Sequence, residues 1–222
     1  MSNMPRLFVD MDGTLAEWRN IQISLEEYED VSLMPKKINE LLATPGYFYS
    51  LQPYKNVVDA IKQLIKSGDI EVFILSCCLP TTLKSSPKKE KERWLKKYLP
   101  EIDKKHIICV PDGFDKRLFV PDSVKESDYL FDDYTHNLQL WEQSGKGIKL
   151  LNNVNSNRGT WKGNQINFEK TGTEIADNIK SIIMENKRIR DKNPRKENIP
   201  FDYQNYNFEH SLKEIEEYEI TE

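Results

Sequence analysis

Five short apolar runs, almost unbroken by polar residues, punctuate the first two thirds of the chain. They are Leu7-Phe8-Val9, Val72-Phe73-Ile74-Leu75, Ile107-Ile108-Cys109-Val110, Tyr129-Leu130-Phe131 and Ile148-Lys149-Leu150-Leu151. Continuous rather than alternating runs read as strands covered on both faces. Between them lie amphipathic stretches with helical spacing, at Val57–Ile65, Glu92–Tyr98, Thr135–Glu142 and Ile175–Ile183. Gly68 stands where the first of these must stop before the next strand. Strand and helix in alternation predict an α/β fold, a Rossmann-like parallel sheet with helices on both faces. Sites in such sheets lie at the carboxyl ends of the strands, so the polar residues after each run are the candidates for chemistry.

The interval between the first two runs is longer than one crossover helix needs. Residues 16–52 hold helical candidates around Leu25–Glu29 and Pro35–Ala43 and end in Tyr47-Phe48-Tyr49. This stretch is expected to form a small helical cap inserted after the first strand, the alternative being an ordinary extra packing layer. Residues 1–15 and 53–186 then make the core domain. From 187 to 222 the chain is highly charged, then rich in Asn and Tyr, then acidic, which predicts a tail with at most a short helix.

A net charge of −4 over 222 residues argues against a general basic surface for nucleic acid. The apolar share of 38% suffices for one core. No apolar stretch at the start resembles a secretory signal and none reaches the roughly 20 residues of a membrane span, so a cytoplasmic protein is expected. Three cysteines, Cys77, Cys78 and Cys109, do not make a disulfide framework and read as buried thiols. The three histidines show no zinc-like spacing.

The first strand ends in Asp10-Met11-Asp12-Gly13-Thr14. Two carboxylates emerge there, and Gly13 permits a tight turn that brings backbone N–H groups toward an anion. A plain Asp-Gly surface turn is the bland alternative. The fourth run ends in Asp132-Asp133. Two acidic clusters at one sheet edge repel unless a cation lies between them, and hard oxygen ligands favour magnesium over zinc. Either acid of the pair could instead cap the helix that begins at Thr135. Ser76, after the second run, could donate to a phosphate oxygen. Lys116, after the third, and Lys91, in a lysine-rich stretch that otherwise reads as a solvated face, could balance phosphate charge.

DMDGT after an apolar strand, a serine after the second, a lysine and then a DD pair resemble the four motifs of the haloacid dehalogenase superfamily of phosphatases. A closer resemblance, to the 5'(3')-deoxyribonucleotidases of bacterial and phage type, covers roughly residues 5–185. It rests on Pro45–Pro53, on Glu90–Tyr98, on Leu130–Leu138 and on Gly159-Thr160-Trp161.

That resemblance implies a phosphatase in which Asp10 attacks phosphorus and Asp12 first protonates the departing oxygen, then activates water. It implies Mg2+ held by Asp10, the Asp12 carbonyl, Asp133 and, in support, Asp132. It implies phosphate contacts from Gly13, Thr14, Ser76, Lys116 and Lys91, and a pocket walled by Trp18, Phe48 and Tyr49, the alternative being that these aromatics pack the cap against the core. The substrate is a small phosphorylated molecule, by this reading a nucleoside 5'- or 3'-monophosphate. No nucleic acid polymer and no membrane are expected as partners, and a homodimer is left open. Two other readings stand beside it: a phosphatase of another small metabolite, and a silent nucleotide- or partner-binding protein of the same fold.

Overall fold

The structure is a computed structural model that describes residues 4–17, 40–80, 86–152, 154 and 161–192. Six strands form one sheet: β1 (Arg6–Val9), β2 (Glu71–Cys78), β3 (Ile107–Pro111), β4 (Asp128–Asp132), β5 (Lys146–Leu151) and β6 (Asn164–Asn167). Their spatial order is β3-β2-β1-β4-β5-β6 and every pairing is parallel. The chain builds outward from β1 through β2 to β3, then returns to the other side of β1 with β4. That reversal opens a crevice at the carboxyl ends of β1 and β4.

Both faces of the sheet are covered, as the unbroken apolar runs require. Leu7 and Val9 of β1 point into the larger core with α2 (Lys55–Ser67) and α5 (Gly172–Lys192), while Phe8 points into a second core with Phe73, Leu130 and Trp141. α2 places Val57, Val58, Ile61 and Leu64 on one stripe and stops where Gly68 takes φ 69°, its N–H bonding back to Ile65. The short helix α4 (Thr135–Trp141) buries Leu138 and Trp141 against the second core.

β6 escapes a reading based on apolar runs, because only Ile166 of Asn-Gln-Ile-Asn is buried and the strand lies at the edge. The cysteine reading needs correction. Cys78 and Cys109 form a disulfide, and Cys77 alone is a free thiol. Sequence distance conceals the pair; the β2–β3 register sets Ser76 beside Cys109 and brings the two sulfurs into reach.

After β1 the chain turns back on itself. Glu17 donates to the Gln52 carbonyl and Tyr54 to the Leu15 carbonyl, both at 2.8 Å, so the stretch between leaves and rejoins the core at one point. Within it, residues 40–42 are helical and Tyr47–Ser50 forms the one-turn helix α1. The helical candidate at Leu25–Glu29, most of Pro35–Ala43 and Trp18 lie outside the described residues, as does the stretch from 193 to 222. The last helix continues through the first six residues of the stretch read as a tail, to Lys192.

Candidate active site

The pairing of β1 with β4 decides what meets at the crevice. Val9 lies opposite Phe131, and Asp10 donates its N–H to the Phe131 carbonyl at 2.9 Å. Asp10 and Asp132 therefore leave the sheet at the same level. At the far end of these two strands Arg6 grips Asp128, a buried ion pair that fixes the register.

Beyond β1, Gly13 takes φ 79°, which an L side chain rarely adopts. A Cβ there would lie 2.4 Å from Asp133 Oδ2. Only glycine lets the Asp133 carboxylate nest against this loop. Thr14, fully buried, donates to Asp133 Oδ1 at 3.3 Å. The side-chain oxygens of Asp10, Asp132 and Asp133 lie within 4.8 Å of one another. Three carboxylates this close, all hard oxygen donors, are suited to a divalent cation.

Electrostatics agrees with the geometry. Burial pushes the Asp10 carboxyl up to about 6, with Asp132 and Asp12 adding to the rise and Lys116 opposing it. Burial likewise holds Asp133 well above the ordinary carboxylate range, reinforced by Asp132 and Asp10. Burial alone would lower the Lys116 ammonium, but the Asp10 and Asp132 carboxylates outweigh it and raise it above its ordinary value. Its Nζ lies 2.8 Å from Asp10 Oδ1 and 2.7 Å from Asp132 Oδ2.

Lys116 reaches the site because a 3-10 turn (Lys116–Phe119) follows β3. Asp115 caps that turn through the Arg117 N–H and also binds the Arg117 guanidinium, which in turn donates to Gln143. Asp132 accepts from the Tyr134 N–H at 2.8 Å and from Asn137 at 3.0 Å. It thus serves the start of α4 as well as the acidic cluster.

The second lysine comes from α3 (Pro87–Tyr98), which begins with proline at its first position. Lys88 and Lys89 are exposed, but Lys91 turns inward and is buried. Its ammonium binds Asp12 Oδ2 and the Cys77 carbonyl, and donates to Ser76 Oγ at 3.1 Å. Ser76 is itself buried at the end of β2. The solvated-face reading of this stretch holds for the first two lysines and fails for the third.

Of the aromatics, Phe48 sets its ring 4.7 Å from the Lys91 ammonium. Tyr49 has the Arg93 guanidinium 4.3 Å over its ring. Trp18 lies outside the described residues.

Two further residues hold this arrangement together. Asn152, just past β5, donates to the Gly13 carbonyl at 2.7 Å and to Asp133 Oδ2 at 3.0 Å. Glu90 accepts from the backbone N–H groups of Gly46 and Phe48 at 2.8 and 3.2 Å, and so fastens α1 to α3. Position just past an apolar run could have drawn attention to Asn152. Glu90 opens one of the stretches that carry the family resemblance, but its charged neighbours hide this role.

Residues 3–165 match the family described as 5' nucleotidase, deoxy (pyrimidine), cytosolic type C protein. The chain belongs to this family. It is accordingly a phosphoric monoester hydrolase acting on a small phosphorylated substrate. A Staphylococcus epidermidis protein provisionally named 5'(3')-deoxyribonucleotidase is 24% identical over 170 residues, covering 69% of this chain and 87% of that one. The human 5'(3')-deoxyribonucleotidase, cytosolic type, is 26% identical over 135 residues, covering 50% of this chain and 66% of that one. Among solved structures, a Had-superfamily hydrolase from Ehrlichia chaffeensis aligns with a TM-score of 0.44 at 13% identity, over 82% of this chain and 100% of that one. Among the described residues no helix is long and apolar enough to cross a membrane.

Proposed function

We propose that this deoxyribonucleotidase-family member is a magnesium-dependent phosphomonoesterase that dephosphorylates (deoxy)ribonucleoside 5'- or 3'-monophosphates through an aspartyl-phosphate. The observation that carries the reading is the separation of two carboxylate environments on one loop. Asp10 is locked among Lys116, Asp132 and Asp133, whereas Asp12 is held by Lys91 through Oδ2 and leaves Oδ1 buried with no hydrogen-bond partner.

Asp10 is the nucleophile. Its carboxylate attacks phosphorus and forms the P–O bond of an acyl-phosphate as the ester P–O bond breaks. Lys116 holds the carboxylate in place while neutralising part of the charge around it. Asp12 gives its proton to the departing ester oxygen from Oδ1. It then takes a proton from the water that hydrolyses the acyl-phosphate, which regenerates Asp10 and releases phosphate. The Thr14 hydroxyl and the N–H groups of the Gly13 turn bond to Asp133, Ala16 and Met11 and shape the loop, while Lys91 and Ser76 surround the transferred group. Each such donor typically contributes roughly a hundredfold or more in rate.

Asp10, Asp132, Asp133 and the Asp12 carbonyl would hold the magnesium ion. Bound there, it supplies positive charge that lets a carboxylate approach a phosphate dianion. A catalytically silent protein would have no use for three mutually repelling acids, two of them forced above their ordinary range. A halide leaving group needs no protonation, so a second acid with a free oxygen favours an oxygen leaving group.

The family match and the names of the relatives support a nucleotide as substrate. We assign residues 16–52 to a cap over the site, residues 1–15 and 53–186 to the core, with its last helix running on to Lys192, and the residues beyond that to a tail. The human relative's name gives that protein a cytosolic setting, and we extend that setting to this chain.

The test is Asp10→Asn, assayed for phosphate release in magnesium. A loss of at least about 10^4-fold with the fold retained is expected, and unchanged turnover removes Asp10 from its role. A panel of 5' and 3' nucleotides beside sugar phosphates tests the substrate. If sugar phosphates turn over best, the nucleotidase reading fails.

A further inference from the structure

Two buried side-chain oxygens among the described residues have no hydrogen-bond partner: Asp12 Oδ1 and the Tyr47 hydroxyl. Buried polar groups are paired in the great majority of cases, so each orphan asks for an explanation. The first is explained by the reaction proposed above. The second is not, because the Tyr47 ring already fills its place in the core as a phenylalanine would, and the hydroxyl adds an unmet bond.

We propose that Tyr47 is a specificity-determining residue whose hydroxyl hydrogen-bonds the 3'-hydroxyl of a nucleoside 5'-monophosphate. This rests on the nucleotidase reading and names a contact within it.

The placement follows a chain of contacts. Tyr47 opens α1, is 4% exposed, and meets the Phe48 ring edge-on at 5.1 Å. Phe48 lies against Lys91, and Lys91 binds Asp12. The Asp12 charge is felt at the phenol, which puts the hydroxyl in the neighbourhood of the acid that serves the ester. Burial first, and the Asp12 charge second, hold the phenol protonated well above its ordinary range, so it is a hydrogen-bond donor at every working pH. The sugar is the part of a nucleotide joined directly to the ester oxygen. The base hangs farther off. Of the sugar hydroxyls, only the 3' group is common to ribonucleoside and deoxyribonucleoside 5'-monophosphates.

The Tyr47 ring is packed in the core and the backbone that carries it is fixed. Glu90 holds the N–H groups on both sides of Tyr47, at Gly46 and Phe48, and the Tyr47 N–H bonds to the Thr44 carbonyl at 3.1 Å. A donor held rigid in a dry wall discriminates strongly between a ligand that satisfies it and one that does not.

The experiment compares wild type and Tyr47→Phe by kcat/KM on three substrates: a deoxyribonucleoside 5'-monophosphate, its 2',3'-dideoxy counterpart and p-nitrophenyl phosphate. Wild type is expected to prefer the hydroxyl-bearing nucleotide by about tenfold or more. Tyr47→Phe is expected to erase that preference while leaving the dideoxy nucleotide and p-nitrophenyl phosphate unchanged. An equal loss on all three substrates assigns the phenol to packing or to Asp12 alone and overturns the proposal. So does no loss on any. If the variant fails to fold, the wild-type pair decides, and equal turnover of the two nucleotides overturns the proposal. Wild type that cleaves p-nitrophenyl phosphate and no nucleotide overturns the nucleotidase reading and this contact with it. Nucleotide turnover whose hydroxyl preference survives in the variant overturns this contact only.

Discussion

The side-chain amide of Asn152 donates to Asp133 Oδ2 at 3.0 Å, and the same nitrogen reaches the Gly13 carbonyl at 2.7 Å. One residue at the end of β5 thus ties the acid that follows β4 to the loop that follows β1. Its own oxygen accepts from the Val154 N–H at 2.9 Å, which fixes the orientation of the amide. Asn152→Ala removes the tether and leaves a buried carbonyl without this donor. Partners that orient metal-binding carboxylates typically contribute 10–100-fold in metal affinity. The expected outcome is a magnesium requirement for activity raised by about that factor, with the rise in melting temperature on adding magnesium shifted to higher concentration. An unchanged magnesium titration by both readouts refutes this role.

Glu90 does for the pocket wall what Asn152 does for the acidic cluster. Its two carboxylate oxygens hold the backbone on either side of Tyr47, one residue from the lysine that grips Asp12. Glu90→Gln keeps the shape but retains one acceptor oxygen in place of two. Hydrogen bonds to a charged group contribute about 1.5–3 kcal/mol each, so KM for a nucleotide is expected to rise about tenfold or more, with kcat less affected. Steady-state kinetics on nucleotide and p-nitrophenyl phosphate check it. A fall in kcat alone, the same on both substrates, would place Glu90 in the chemistry and not in the wall.

The sheet and the acids were legible in the sequence for a single reason. A parallel strand buried on both faces must be apolar throughout, so its polar end residue stands out. Asp10, Asp132 and Ser76 each follow such a run. Lys91 was ambiguous because helical charge repeats look alike, and only the packing of Trp94 and Leu95 shows which face of α3 turns inward. Glu90, one residue away, opens a stretch that carries the resemblance but gave no sign of this role, since its partners are backbone N–H groups some forty residues earlier. β6 and the Cys78–Cys109 pair depend on which strands become neighbours, a property of the assembled sheet. The aromatic segment was visible, but its order was not. Tyr49 turns to Arg93, and the ring that meets Lys91 belongs to Phe48.

Cys77, the one free thiol, lies between Ser76 and the disulfide-bonded Cys78 and donates to Asp112 Oδ1 at 3.3 Å. Burial, then the Asp112 carboxylate, push its thiol from an ordinary value near 9 up to about 12, against the pull of Lys91 and Lys116. The thiolate is the charged form, and both burial and a neighbouring anion disfavour it. At pH 9 the thiolate fraction is then about one in a thousand, where an ordinary thiol is about half ionised. Alkylation of the native protein by iodoacetamide is expected to stay slow from pH 7 to 10, and Asp112→Asn to accelerate it by removing one anion. The same shift has a stability consequence of definite sign. The unfolded chain releases this proton near 9 and the folded chain only near 12, so the thiol's contribution to stability declines as pH rises through that interval. Alkylation of native Cys77 with a midpoint between 8 and 9 would mean that the Asp112 contact and the burial around Ser76 are not as described.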